Sequence, residues 1–266
     1  MRFKTLSQFK RSEPIKRILG NLPQAISMAE YAKTKAFKIS ELVRYTHKES
    51  YEWYGFTLAD SSNSEFIIDI GLPENDMNLR DYTTLGSSRI AEFHESLPKD
   101  RIINGWIHSH GALNYKHFST TDEKNNRTML DFVSAGTRRP LAKIEIPVQD
   151  LVLLEKGRFA EKDLDKGTVC LITDKPITEA KILETVYGSF CYSIIIGDKG
   201  WHIQKIYYRE RGVLSGHTSE TSKAADIEFV DTQKTLSPEQ IQAIRKEVKE
   251  KIKPNLNPPP ELIERM

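Results

Sequence analysis

The residues best suited to chemistry in this 266-residue chain are two histidines separated by a single residue, with a serine and an aspartate after the short loop that follows. They are His108 and His110, in Trp-Ile-His-Ser-His, and Ser119 and Asp122, in Ser-Thr-Thr-Asp. A catalytic Zn²⁺ binds three protein ligands and keeps one position for water, and His nitrogen and carboxylate oxygen are among its usual ligands. The spacing therefore predicts a zinc site made of His108, His110 and Asp122.

Hydrolysis at such a site also requires a base and a group that stabilises the developing oxyanion. Zinc makes a water molecule acidic near neutral pH, but a carboxylate that does not bind the metal must still accept the proton. Glu52, in Glu-Trp-Tyr-Gly-Phe, is the candidate base, and the hydroxyl of Ser119 is the candidate donor to the oxyanion. Together the five residues suggest a zinc hydrolase that cuts amide bonds.

Each of these residues also has a purely structural interpretation. The segment from Ser119 to Glu123 is typical of a helix N-terminus, with a hydroxyl cap and acidic residues in the first turn. His108 and His110 alone are also compatible with a polar strand face. The conjunction is much rarer than its parts, and a helix start is itself a rigid place to mount a ligand such as Asp122.

These residues resemble the signature of the JAMM (MPN+) zinc metalloproteases, which are deubiquitinase-like isopeptidases. That signature is Glu-x-x-Gly-hydrophobic, then His-x-His, a spacer and Ser-x-x-Asp. It maps here onto Glu52 to Phe56, His108 to His110 and Ser119 to Asp122, with a looser match from about Ala36 to Tyr208. The resemblance implies that His108, His110 and Asp122 hold one zinc ion per chain, that Glu52 is the base and that Ser119 supports the oxyanion.

The resemblance also implies a substrate. Family members cleave isopeptide or peptide bonds after the C-terminal tail of ubiquitin or a ubiquitin-like protein, and some prokaryotic members process other protein tails. A ubiquitin or ubiquitin-like conjugate is therefore the expected protein partner. The alternative is a non-catalytic interaction module, the role of family members that lost the motif. A zinc deaminase would need His-x-Glu with Pro-Cys-x-x-Cys, and this sequence has neither.

Two features depart from the usual family pattern near the ligands. Gly111 stands where members commonly have proline, which predicts a looser loop after the second histidine. The spacer between His110 and Ser119 holds eight residues, one more than in many eukaryotic members. Neither departure replaces a predicted ligand.

Composition is that of an intracellular enzyme, and the cytoplasm is the expected location. The 39 basic and 37 acidic residues leave a net charge of +2, which gives no reason to expect a nucleic-acid partner. No membrane partner is expected, because no apolar run approaches the roughly 18 residues of a membrane span and the N-terminus lacks the apolar segment of a secretory signal. Cys170 and Cys191 are predicted to be small core residues within apolar runs.

Alternating helix-like and strand-like stretches predict an α/β fold. The resemblance makes this a mixed, curved β-sheet flanked by helices, the MPN/JAB architecture related to cytidine deaminase, with helical N- and C-terminal extensions. Three domains are expected. They are a basic extension over 1–33, whose Ile15, Ile18 and Leu19 would dock a short helix, a catalytic domain over 34–212, and a linker, amphipathic helix and proline-rich tail over 213–266.

Two elements must position the site. A strand from Arg101 to His110 places both histidines on one face, which Trp106 shares either as the floor of the site or as ordinary core. A helix from Thr121 to about Ala135 carries Asp122. Further along, a helix is expected over about 177–187, and the charged segment 155–167 is expected to be a hairpin or surface loop.

The C-terminal helix has its own start signal and an apolar stripe. Ser237-Pro-Glu-Gln240 combines a capping serine, an early proline and a glutamine three residues on. An apolar stripe follows at helical spacing, formed by Ile241, Ile244, Val248 and Ile252. The stripe is expected to pack on the chain's own domain; the alternative is that the helix over 238–253 binds a partner.

Overall fold

The computed structural model describes residues 13–75, 78–80, 82–83, 85–146, 151–167, 169–177 and 180–254. Within these ranges the helices are α1 (Glu30–His47), α2 (Ser87–Glu95), α3 (Thr120–Val133) and α4 (Pro238–Lys251). The strands are β1 (Lys16–Ile18), β2 (Ile26–Ala29), β3 (Tyr54–Asp60), β4 (Phe66–Ile67), β5 (Asp69–Gly71), β6 (Arg101–Ser109), β7 (Arg139–Ile146), β8 (Leu151–Glu155), β9 (Val169–Thr173), β10 (Ile182–Ile196), β11 (His202–Gly212), β12 (Thr218–Ala224) and β13 (Ile227–Val230). The predicted mixed α/β class is confirmed.

The described chain divides into two compact units, each assembled from separate segments. The site unit comprises the described residues within 22–139, 188–209 and 219–254, and contains all five candidate site residues. The other unit comprises those within 13–21, 140–187 and 210–218. The expected division into three consecutive domains stays a prediction.

Strand β6, which carries the histidines, has a neighbour on each side in the site unit. It pairs in parallel with β10, where Ile195 lies opposite His108, and antiparallel with β3, where Tyr54 lies opposite His108. Strand β3 in turn pairs antiparallel with β5, and β11 pairs with β10. Because backbone hydrogen bonds hold both edges of β6, the histidine-bearing end of the strand has a fixed position.

Helix α3 belongs to the same hydrophobic cluster as one face of this sheet. Phe56 and Trp106 come from the sheet, and Met129, Leu130 and Val133 from the helix; all five are buried. Burying each such side chain stabilises the fold by about 1.5–3 kcal/mol. Asp122 lies two turns before Met129 and Leu130 on the helix, so the packed side of α3 also directs this carboxylate towards β6.

Helix α4 packs within the site unit against α1. Ser237 and Gln240 form the predicted capping box, with Ser237 Oγ accepting from Gln240 N at 3.3 Å and Gln240 Oε1 accepting from Ser237 N at 3.0 Å. Ile244, Val248 and Ile252 of the apolar stripe are buried. The prediction that the stripe packs on the chain's own domain is confirmed.

The predicted N-terminal helix through Ile15, Ile18 and Leu19 is wrong. Residues 16–18 are strand β1, antiparallel to β7, and all three apolar side chains are exposed. Only five residues separate Pro14 from Gly20, too few for a stable helix. Pairing with β7 satisfies the backbone of this short segment, so a ladder forms instead.

Three further elements differ from their predictions. The helix expected over 177–187 is wrong from Ile182 onward, because β10 begins there and burial alternates with the period of a strand.

Segment 155–167 is not a hairpin, since β8 and β9 pair in parallel and hairpins join antiparallel strands. Its described residues are mostly exposed, as in a surface loop. Residues 218–224, expected to be linker, form β12 beside β11 because edge pairing orders a Ser/Thr-rich segment.

The cysteines behave differently from each other. Cys191 is fully buried in the core, as predicted, whereas Cys170 is only half-buried and its thiol faces the carbonyl of Lys166, so its core assignment is wrong. Within the described ranges, no helix has the length and apolar character needed to cross a membrane.

Strand β6 should tolerate no side chain at Gly105. A Cβ there would lie 2.2 Å from the carbonyl oxygen of Tyr192 on β10, so the strands would have to separate. We expect Gly105→Ala to lower the free energy of unfolding by roughly 2–3 kcal/mol in urea titrations. Gly136→Ala, whose Cβ would meet nothing closer than 3.8 Å, is the control and should change stability by less than about 0.5 kcal/mol. Equal effects of the two variants would contradict this account of β6.

Candidate metal centre

Three of the five predicted site residues meet as a compact triangle of donor atoms. His108 Nε2 lies 3.3 Å from His110 Nε2 and 3.0 Å from Asp122 Oδ1, and His110 Nε2 lies 3.6 Å from Asp122 Oδ2. Two donors bound at 2.0–2.1 Å to a tetrahedral ion lie roughly 3.3 Å apart. The distances to Asp122 run to its two different oxygens, but all three separations are close to this value, so the group could hold one small metal ion.

Burial and charge also fit a cation. All three side chains are buried. Burial lowers the pKa of His108, although Asp122 opposes this, and so favours the neutral imidazole that binds metals. Burial acts to raise the pKa of Asp122, but His108 and hydrogen bonds from His108, His110 and the Ser119 backbone together hold it below its usual range. The result is a buried carboxylate whose negative charge a cation would compensate.

The orientation of His110 is fixed through its second ring nitrogen. Nδ1 lies 2.8 Å from the carbonyl oxygen of Tyr115, which can only accept a hydrogen bond. Nδ1 is therefore protonated, and this hydrogen bond leaves Nε2 as the ring nitrogen that faces Asp122 and would bind a metal. The ring of Tyr115 also stacks on the imidazole, with the ring centroids 5.8 Å apart.

The backbone after His110 is held firmly, contrary to the predicted looser loop. His110 N donates to the carbonyl oxygen of Ile196 at 2.9 Å, and Gly111 accepts from Asp198 N at 2.9 Å while donating to Ser109 Oγ at 2.8 Å. Gly111 has a φ of 52°, which proline cannot adopt. Glycine therefore allows a left-handed turn at this position, and backbone hydrogen bonds hold the turn against the end of β10.

Asp122 is held by the start of α3. Ser119 is the N-cap: its Oγ accepts from Asp122 N at 3.1 Å, and Asp122 Oδ2 accepts from Ser119 N at 2.7 Å. The structural interpretation of this segment is therefore correct and compatible with the metal interpretation, because the same capping box points Oδ1 at His108. The hydroxyl proton of Ser119 is not used in the capping bond and stays available for donation.

Glu52 precedes β3 instead of lying within it, and it is buried. Ser109 N donates to the carbonyl oxygen of Trp53 at 2.9 Å, which continues the antiparallel ladder beyond Tyr54 and His108. Continued by one residue, the same register would set Glu52 opposite His110. Residues directly opposite in an antiparallel pair share a face, so this extension would bring the candidate base to the side of the histidines.

Two buried asparagines that the sequence analysis missed anchor the Glu52 segment. Asn75 binds both the N–H and the carbonyl of Tyr54, at 2.9 and 3.0 Å, as a partner strand would. Asn78 Nδ2 donates to the carbonyl of Glu52 at 2.8 Å and to Asn75 Oδ1 at 2.9 Å. In the sequence they appear only as two asparagines three residues apart. Such a pair is not part of a helix or strand pattern, so it did not indicate this role.

Aromatic and basic side chains that are exposed or only partly buried lie beside His110. Trp201 meets the imidazole edge-on with centroids 6.1 Å apart, and Lys116 lies over the indole at 5.8 Å. Tyr115 is half-exposed. His117 is exposed on the loop after His110 and lies outside the donor triangle.

Fold and site together describe a mixed α/β protein with a buried His-His-Asp group mounted on a central strand and a helix start. No protein-family model matches the chain, and no curated protein matches it either. Two imidazoles and one carboxylate are a donor set used by catalytic Zn²⁺ and also by non-haem Fe(II). The donors alone could therefore hold a divalent metal ion, without deciding which one.

We expect one divalent ion per chain. Metal analysis of the purified protein, loaded with excess Zn²⁺ or Co²⁺ and then dialysed, should give close to one equivalent because three buried donors converge. His108→Ala should lose the ion, whereas His117→Ala, which removes a histidine outside the triangle, should keep it. A wild type that holds no metal, or equal retention by both variants, would rule out this centre.

Proposed function

We propose that the chain is a zinc-dependent hydrolase that cleaves isopeptide or peptide bonds after the C-terminal tail of ubiquitin or a ubiquitin-like protein. The observation that carries the proposal is the buried triangle of His108, His110 and Asp122, with donor separations of 3.0–3.6 Å. The reaction and the substrate class come from the resemblance of the motif to the JAMM metalloproteases. The proposal includes the MPN fold, with which a mixed sheet centred on β6 is compatible.

Three protein donors favour a catalytic site over a structural one. Structural zinc sites are closed by four protein ligands, whereas catalytic sites keep one position for water or substrate. Within the described ranges, the donor group contains three residues and does not include Glu52. A carboxylate on the same face but outside the group fits a base better than a ligand.

The groups near the donors support zinc rather than iron as the bound metal. A hydrolase needs a proton acceptor and an oxyanion donor, and Glu52 and Ser119 are the candidates for these two roles. When bound, the zinc ion would acidify water and polarise the scissile carbonyl. Glu52 would accept the proton of the attacking water and return it to the leaving amine. The Ser119 hydroxyl would donate to the carbonyl oxygen as negative charge develops there.

The surroundings of His110 suit a polypeptide tail. Tyr115 and Trp201 offer ring surface next to the donors, and Lys116 adds a positive charge. Flat aromatic surface binds an extended chain with little loss of side-chain entropy. These residues therefore form the wall against which the tail would lie.

Glu52→Gln separates the base from the ligands. Removing only proton transfer should lower turnover of a ubiquitin or ubiquitin-like conjugate by about 10²–10⁴-fold while the zinc content stays near one. Glu49→Gln is the matched control: its carboxylate pairs with Arg80 and accepts from Tyr51, and the variant should stay active. Loss of zinc in Glu52→Gln would make Glu52 a ligand. Zinc binding without cleavage of any such conjugate by the wild type would favour the interaction module.

Ser119→Ala separates capping from catalysis. Loss of the cap should cost on the order of 1 kcal/mol of stability, less if Thr120 takes over, whereas loss of an oxyanion donor should lower turnover about 100-fold with KM nearly unchanged. Ser237→Ala removes the equivalent cap of α4 and should lower stability by a similar amount without affecting turnover. Unchanged turnover in Ser119→Ala would leave Ser119 with its capping role alone.

A further inference from the structure

The two histidines of the triangle are oriented in different ways. A metal-binding histidine usually donates its second ring N–H to a carboxylate or carbonyl, which fixes the ring plane. His110 follows this rule through Tyr115. His108 does not, because its Nδ1 is buried and has no hydrogen-bond partner among the described residues. Another contact must therefore set the plane of the His108 ring.

That contact is an aromatic stack. The indole of Trp106 lies against the imidazole of His108 with centroids 4.4 Å apart and planes inclined by only 18°. Both side chains are fully buried. At this separation a rotation of the imidazole out of the stack would drive it into the indole, so the orientation of Trp106 dictates that of His108.

The indole is itself fixed by a chain of buried hydrogen bonds. Trp106 Nε1 donates to Asn126 Oδ1 at 2.6 Å, and Asn126 Nδ2 donates to the hydroxyl oxygen of Tyr207 at 2.7 Å. The Tyr207 hydroxyl donates to Glu123 Oε2 at 2.8 Å. Lys205 Nζ donates to the other oxygen of Glu123 at 2.7 Å, closer to the surface. Every polar atom in the chain between the indole and the ion pair has a partner.

The same chain connects the elements that carry the donors. Trp106 belongs to β6, Asn126 and Glu123 to the first turns of α3, and Tyr207 to β11. Asn126 follows Asp122 by one helical turn, on the same side of α3. The network thus fixes the start of α3 against β6. The separation of these two elements sets the 3.0 Å distance between Asp122 and His108.

We propose that Trp106 is a positioning residue for His108, locked by the Asn126–Tyr207–Glu123 chain in place of the missing hydrogen bond at Nδ1. The inference rests on the proposed metal site, since it assigns the network the task of preparing Nε2 of His108 for the ion. Cutting the chain at Tyr207 should loosen the indole, spread the orientations of His108 and weaken metal binding without removing any donor atom.

The test compares two buried tyrosines. Tyr207→Phe removes the hydroxyl of the network, and Tyr192→Phe removes a buried hydroxyl that donates to the carbonyl of Glu65, at 3.0 Å and away from the triangle. We expect Tyr207→Phe to bind Zn²⁺ about 10-fold more weakly in chelator competition, and Tyr192→Phe to bind like the wild type. Urea unfolding of both variants separates this effect from a general loss of stability.

A double-mutant cycle sharpens the test. Trp106→Phe removes the indole N–H, so adding Tyr207→Phe to it should weaken zinc binding little further. Additive losses would mean that Tyr207 acts on the metal independently of the indole, and would overturn the inference. Equal zinc affinity of Tyr207→Phe and Tyr192→Phe would overturn it too, while leaving the proposed function intact.

A wild type that binds no Zn²⁺ would instead refute the proposed function. The positioning role is then decided by NMR of the metal-free protein. The imidazole protons of His108 lie under the indole and report its orientation by ring-current shifts. Tyr207→Phe should move these signals and Tyr192→Phe should not. Unmoved signals in Tyr207→Phe would overturn the inference without reference to the metal.

Discussion

The packing of helix α3 on strand β6 is the contact on which the site depends. The strand supplies two donors and the helix supplies the third, and neither element alone brings three ligands within reach of one ion. Burial of Met129, Leu130 and Val133 against the sheet provides the free energy that holds the helix there. The capping box then sets the direction of Asp122, so an ordinary helix start and a ligand are the same local structure.

A polar triangle in such a place opposes stability unless it is compensated. Removing a carboxylate and two imidazoles from water costs free energy that apolar packing elsewhere must offset. The chain lowers this cost because the Ser119 backbone N–H donates to Asp122 and the Nδ1–H of His110 donates to the Tyr115 carbonyl oxygen. One atom, Nδ1 of His108, has no such compensation among the described residues. A buried polar atom without a partner calls for an explanation, and a role at a functional centre is one such explanation.

Asparagine side chains act as cross-links on both sides of the centre. Asn75 and Asn78 replace a partner strand for the backbone that carries Glu52, and Asn126 joins the indole of Trp106 to Tyr207. An amide offers both donor and acceptor atoms, so one side chain satisfies two buried groups at once. Segments without regular pairing are thereby held by buried hydrogen bonds, which help to fix the backbone that carries Glu52 and the start of α3.

The sequence alone determined the identity of the candidate donors, because His108 and His110 lie on one strand and Asp122 at a helix start, where local spacing decides which way a side chain points. The same local signals gave β6, α3 and the capped helix α4 with its buried stripe. Only the tertiary structure decided the distances between the donors, the register that sets Tyr54 opposite His108, and the link from Asn126 to Tyr207, which lie 81 residues apart. It also decided that 16–18 and 182–187 are strands, since each of these segments is ordered by its sheet rather than by its own periodicity. Contacts between distant segments leave no repeating pattern along the chain, and for that reason the ligands could be predicted whereas the residues that hold them in place could not.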